Sequence, residues 1–400
     1  MRFPEFSGEW ISCKVGDYGK IITGSTPPTS DNTNYADGTR LWASPVDLGQ
    51  AKYVIDTQTK LSSIGFSKTR KLPAGSVLVT CIGSTIGKMG MAATEMSTNQ
   101  QINSIVVDSQ YDNNFVYYAL QSRFPRYLTS VAVQAVPILS KSSFEKLQNY
   151  RTALEEQKKI GTLLNLIDER ISTQIRIIED LKSERKYLLE QLFCLPNERA
   201  PKLRLKGMTG EWQKVKLCYI ANRVTEKNKA NTCNRVLTIA AQYGLIDQQE
   251  FFNKQIASSD LTTYYLLHKG DFAYNKSYSG DYSWGAVKRL DKYDKGVLSS
   301  LYICFRPNEN VDSDFLCHYF ESTKWYRGIS EISGEGARNH GLLNMSVDDY
   351  FNTLHRIPTQ REQKAVANAL NVLVDKINIE TEILNNLQNQ KFYLLKEMFI

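Results

Sequence analysis

Apolar side chains recur at two different spacings along this chain, and the changes of spacing mark its parts. Between 155 and 193 they fall at Ile160, Leu164, Ile167, Ile171, Ile178, Leu181, Leu188 and Leu192. The steps alternate between four and three once Gln157, Gln174 and Arg185 are counted as polar members of the series. That is the heptad seam of a helix that packs on another helix. A second seam runs through Val366, Leu370, Leu373, Ile377, Leu384, Leu387, Leu394 and Met398, with Gln363, Glu380 and Lys391 at the matching polar places. Neither stretch contains proline, and only Gly161 interrupts the first. Elsewhere the apolar runs are short and bounded by Gly, Pro, Asn and Asp. GSVLVTCI (75–82), NSIVV (103–107), GDFAYN (270–275) and SLYICF (300–305) read as β-strands.

The two seams are copies. From Glu156 to Phe193 there are 12 identities in 38 positions with the segment 206 residues later. Unrelated sequences would match at about one position in sixteen. The same offset places Ser140 and Phe144 over Ser346 and Tyr350. SGEW (7–10) recurs as TGEW (209–212), and LPAGSVLV (72–79) resembles LHKGDFAY (267–274). Between these anchors the halves share almost nothing. One frame is therefore written twice around two dissimilar inserts. CLPNERAPKLRL (194–205), with two prolines, connects the halves.

Composition narrows the class. Hydrophobic residues make up 42% and charged residues 23% of the 400, a globular balance. No apolar run reaches the ~18–20 residues of a membrane helix, and MRFPEFSGEW lacks the apolar core of a secretory signal. Seven cysteines stand singly with no C-x-x-C pair, which points to reduced thiols and a cytoplasmic setting. The net charge of +7 is uneven. The two seams carry 12 basic against 13 acidic residues, and the remainder 37 against 29. Excess positive charge outside the seams suits a polyphosphate partner.

Catalytic signals fail on inspection. GSTIGKM (83–89) has three residues between its glycines where a phosphate loop needs four, and Met89 stands where a magnesium-binding hydroxyl is required. The E-Q-K triplets at 156–158 and 362–364 have nuclease-like spacing, but both open a seam, where acidic residues suit a helix N-terminus. His268, His318, His340 and His355 show no metal-ligand spacing. No glycine-rich S-adenosylmethionine fingerprint occurs, nor the Asn-Pro-Pro-aromatic tetrapeptide of amino-methyltransferases. No metal site is expected, and no catalytic residue.

Two unlike inserts, each followed by a copy of one long helix opening on E-Q-K, resemble the specificity (S) subunits of type I restriction–modification systems. The GEW openings, LSKSSFEKLQNYRTALEEQKKI (139–160) with MSVDDYFNTLHRIPTQREQKAV (345–366), the endings YLLEQLF and YLLKEMF, and GDFAYNKSYSGDYSWGAVKR (270–289) with GVLSSLYICFRP (296–307) carry the resemblance. RTALEEQ at 151–157 lacks the proline that the family has there, as at Pro358, so the start of the first helix stays open. The resemblance implies an α+β fold. Two target recognition domains, 1–150 and 207–356, would stand in pseudo-twofold arrangement, separated by two long antiparallel coiled-coil helices, 151–193 and 357–400, with a linker at 194–206. It implies a non-catalytic subunit that reads a bipartite, asymmetric site on double-stranded DNA. Two modification subunits and two restriction subunits would be its partners, and S-adenosylmethionine, ATP and Mg would belong to them. A coiled-coil scaffold without DNA binding would explain the helices but leave the basic inserts idle.

Helix length agrees, since 38 residues span ~57 Å and one DNA turn is ~34 Å. Groove reading needs amides, hydroxyls and cations on loops, with phosphate contacts setting register. In the first insert these are Lys68, Arg70 and Lys71 for phosphates, and Ser84, Lys88, Gln100 and Gln101 for the groove. In the second they are Asn275, Lys276, Ser279 and Lys288, with Arg338, Asn339 and His340. For the helices, the register that pairs Arg185 with Glu380, Gln174 with Lys391 and Leu181 with Leu384 gives each seam polar group a partner.

Overall fold

Alternation along single strands sets the layers. In the strand Val77–Thr80 every residue is buried, but successive side chains enter different cores. Val77 and Val79 join a cluster with Phe115, Leu120 and Phe124, whereas Leu78 joins another with Leu72, Met96 and Ile102. A strand covered on both faces must behave this way, because its side chains alternate sides. The second half repeats the device. Phe272 and Tyr274 pack with Phe315 and Tyr319, while Ala273 faces Leu267 and Leu298.

The computed structural model describes residues 1–131, 138–240, 244–252, 260–277, 282–333, 338–339 and 342–399. It divides into two compact units, Met1–Ile177 with Glu380–Ile400, and Ile178–Ile379. In the first unit a five-stranded sheet runs in the order Gly19–Thr23, Ile102–Val107, Val77–Thr80, Met89–Ala92, Tyr53–Val54. All neighbours are antiparallel except the last pair. A smaller four-stranded sheet, Lys60–Leu61, Arg40–Ala43, Met96–Thr98 and Lys71–Leu72, covers one face. The helix Asn113–Val131 covers the other. In the second unit the main sheet has four strands, Ala221–Arg223, Ile303–Pro307, Phe272–Asn275 and Ala286–Arg289, with the helix Ser313–Glu321 on one face. Each unit also has one two-stranded ladder that joins its chain entry to its exit. Ile11–Lys14 pairs with Gln148–Arg151, and Gln213–Lys216 with Leu354–Ile357.

Both seams are helical over 39 residues, Leu154–Leu192 and Gln360–Met398. The first therefore begins at Leu154, within the span left open by its missing proline. Seam residues near the helix ends are spent on sheet packing rather than on helix pairing alone. The first unit's core takes Ile160, Leu164 and Ile167 from one helix and Leu394 and Met398 from the other. The second unit's core takes Leu192 and, from beside the seam, Leu189, with Val366 and Leu370.

Within the first unit the helices meet antiparallel, Asp168 against Lys391 at 2.6 Å and Gln174 against Glu380 at 2.5 Å. The fold is thus α+β with two long helices packed together. The register differs from the one expected. Lys391 lies beside Asp168 and not Gln174, and Glu380 beside Gln174 and not Arg185, displacements of about two and three turns. The pairings of Arg185 with Glu380 and Leu181 with Leu384 belonged to the same register and fall with it. A full carboxylate satisfies the Lys391 ammonium better than a neutral amide, and Asp168 escaped notice because it flanks the seam. Gln174 also donates to the Glu380 carbonyl at 3.0 Å, so each copy of this seam position meets its counterpart exactly one repeat away in sequence.

Candidate nucleic-acid interface

The repeated frame holds each insert through its E-Q pair. Glu156 and Glu362 are buried, and each carboxylate receives two nitrogens of one arginine. Arg2 binds Glu156 at 2.7 and 2.7 Å, and Arg204 binds Glu362 at 2.8 and 2.7 Å. The Trp212 indole of TGEW adds a third donor to Glu362 at 3.2 Å. Burial pushes the Glu156 carboxyl up, but donation from Arg2 and Thr152 outweighs it and holds the group below its ordinary range. The neighbouring glutamines stitch across the gap. Gln157 accepts from the Asp112 N–H at 3.1 Å and donates to the Thr152 carbonyl at 2.7 Å. Gln363 does the same with Asp312 and Pro358, at 2.6 and 2.9 Å. Asp112 and Asp312 in turn bond the N–H groups of Phe115 and Phe315, at the start of each insert helix. The E-Q pair is therefore a clamp between chain entry, insert helix and long helix, more than the dipole contact its position suggested.

On the first unit four separate segments converge at one sheet edge. The Gly24 N–H donates to the Ile102 carbonyl at 3.0 Å, and that of Ser25 to Thr98 at 2.8 Å. A Cβ on Gly24 would lie 2.0 Å from the Asn99 carbonyl oxygen, so only glycine permits this approach. The Thr26 hydroxyl then donates to the Gln100 side chain. Arg70 donates from its guanidinium to the Thr23 carbonyl at 2.8 Å and from its backbone to the Ser25 hydroxyl at 3.1 Å. Cys81 binds the Gln101 carbonyl at 2.7 Å, which brings the Gly83–Ser84 turn alongside. Arg70, Ser84 and Gln100 are exposed and Gln101 half-buried. One cation, two amides and several hydroxyls thus share a rim, the donor and acceptor set that groove edges require. Ser25 and Thr26 complete it, and sequence reading missed them because GSTPPTSD looked like an ordinary turn.

The other candidates stand apart. Lys68 is spent on Asn34 at 2.7 Å and Asp31 at 3.2 Å. Lys71 lies over the Phe66 ring at 5.4 Å. Lys88 faces a crevice of about 600 Å³ bordered by Gln121, Asp168, Gln388 and Lys391. In the second unit Asn275 closes its own turn on the Ser277 N–H at 2.9 Å. The Lys276 carbonyl accepts from Leu343 at 3.1 Å, which draws the Arg338–Asn339 and Leu342–Leu343 hairpin beside it. Asn275, Lys276, Arg338 and Asn339 are therefore neighbours along the backbone. Lys288 is separate and ion-paired to Glu321. Ser279 and His340 lie outside the described residues. His355 is buried, bonded to the Tyr319 and Thr353 hydroxyls at 2.9 and 2.8 Å.

One buried cation had no sequence signal. Lys52 donates to Asn114 and Asn165 at 2.6 Å each and to Tyr118 at 3.2 Å. Burial lowers its pKa to about 8, against the pull of Asp168. The Tyr118 hydroxyl donates to Asp168 at 2.6 Å, so the network ends on the Asp168–Lys391 pair. It bolts the insert helix and the Lys52 loop to both long helices of this unit.

Residues 7–183 match the family model described as the type I restriction modification DNA specificity domain. The HindI specificity subunit of Haemophilus influenzae is 32% identical over 181 residues, 42% of this chain and 39% of that protein. The EcoR124I/EcoR124II specificity subunit of Escherichia coli is 22% identical over 212 residues, 49% and 50% of the two chains. The chain thus spans about two-fifths to half the length of the curated relatives it matches. Among solved structures, a type I S subunit from M. genitalium aligns over 98% of this chain and 96% of its own, with a TM-score of 0.57 at 16% identity. At that identity the likeness is one of fold. A chain from a study of type I R-M complex assembly aligns similarly, with a TM-score of 0.56 at 12% identity. Residues 7–183 are thus similar in sequence to a type I restriction modification DNA specificity domain, and the whole chain shares the fold of a type I S subunit.

Proposed function

We propose that this chain is the DNA-reading subunit of a type I restriction–modification complex. Each insert reads one part of a bipartite, asymmetric duplex target, and the paired helices fix the gap between the parts. The observation that carries the reading is the rim of Ser25, Thr26, Arg70, Ser84, Gln100 and Gln101, built inside the segment that matches a DNA specificity domain. Arg70 supplies phosphate or guanine contacts, and the amides and hydroxyls discriminate base edges. For the second insert the corresponding set is assigned to Asn275, Lys276, Arg338 and Asn339. The chain catalyses nothing by itself. Two modification subunits and two restriction subunits supply the chemistry, with S-adenosylmethionine, ATP and Mg as their cofactors, inside the cytoplasm.

Selection from a pool of random duplexes by the purified chain tests this reading. A two-part consensus separated by unspecified bases is the expected product. Arg70→Ala should weaken binding by about tenfold, the loss of one charge-assisted contact. A pool that emerges unenriched, or an Arg70→Ala chain that binds as well as the parent, contradicts it.

A further inference from the structure

The second unit holds a crevice of about 430 Å³ apart from the set assigned to DNA under the proposed function. One wall is the long helix, which presents Lys182, Arg185 and Lys186. At spacings of three and four these cations share one face and repel each other. Among the described residues none of them has an ion-pair partner. The Nε of Arg185 is buried without a hydrogen bond, a cost that a bound acceptor would remove. The one carboxylate lining the crevice, Glu321, is already neutralised by Lys288. Three aromatic residues, Tyr282, Trp325 and Tyr326, also line the crevice.

The repeat supplies an internal control. The positions matching Lys182, Arg185 and Lys186 in the second helix are Gln388, Lys391 and Phe392. Only one of those is a cation, and Asp168 neutralises it at 2.6 Å. A charge needed by the shared frame would recur in both copies. This triplet does not, so it serves something particular to the second unit. Three unpaired cations in one crevice with aromatic side chains, in a space within the usual size range of small-ligand sites, match a phosphorylated aromatic molecule.

We propose that this crevice binds a nucleoside phosphate, its phosphates on Lys182, Arg185 and Lys186 and its base against Tyr282 and Tyr326. A crevice of about 430 Å³ has the size of a small-molecule site and not of a duplex. Calorimetric titration of the full-length chain with ADP, pyrophosphate and adenosine is the test. Saturable ADP binding is expected, with adenosine and pyrophosphate each at least about tenfold weaker. The double variant Lys182→Gln with Lys186→Gln alters only exposed side chains and should lose ADP binding by more than about tenfold, while Lys391→Gln in the first unit leaves it intact. ADP binding that is absent, unchanged in the double variant, or matched by pyrophosphate overturns the proposal. So does displacement of ADP by a random-sequence duplex, which would assign these cations to DNA phosphates instead.

Discussion

Glu362 lies at the junction of three segments, with Arg204, Trp212 and the long-helix start converging on one carboxylate. Removing it leaves a partly buried guanidinium and a buried indole N–H without their acceptor. Glu362→Ala should cost about 3 kcal/mol in chemical denaturation, against almost nothing for the exposed Glu155→Ala, whose pairing with Lys158 is a surface contact. Equal losses would remove the clamp. His355 offers a pH-dependent check. Burial lowers its pKa to about 4, below the ordinary 6.5. In the unfolded chain this imidazole takes a proton first as pH falls, so stability from keeping it neutral is present above 6.5 and drains away between 6.5 and 4. His318, lowered in the same direction by burial, adds to the slope. A His355→Gln chain should show a visibly flatter melting-temperature profile across that window, and an unchanged slope would refute the assignment. At this scale the sequence was least informative. The E-Q-K triplets were visible as repeats, but their role depends on Arg2 and Arg204, which lie 154 and 158 residues away. Lys52 gave no signal because its partners come from two other elements.

The long helices were the most legible elements, since heptad spacing over nearly forty residues leaves no alternative secondary structure. The main strands were legible too, because short apolar runs bounded by turn residues can be buried on both faces. Register was not legible. Pairing seam positions only with seam positions ignored Asp168, which sits one step beside Ile167 and takes Lys391. The observed register makes its own prediction. Asp168→Lys and Lys391→Asp should each destabilise the chain, and the double variant should recover much of the loss. Losses that simply add would show that this pair contributes nothing to helix pairing. The Tyr118 hydroxyl donates to the same carboxylate, so recovery is expected to be incomplete.

Across the whole molecule, repetition carried the most information: one frame written twice around two unlike inserts. The frame recurs because its parts hold each other. GEW, the entry–exit ladder, the E-Q clamp and the insert-helix cap reappear in both units with the same bonds. The inserts are released from that constraint, which is why no pattern in them announced which loops would meet. Only the structure brings Arg70 and Gln100 to one rim, or Lys276 to the paired strands Arg338–Asn339 and Leu342–Leu343. If each insert reads its own half of the target, exchanging one must change one half alone. The decisive measurement replaces residues 215–345 with the second insert of another family member and selects targets from random duplexes with the parent and the hybrid. One half of the recognised sequence should change and the other stay as it was. A hybrid that alters both halves, or neither, contradicts modular reading by two inserts.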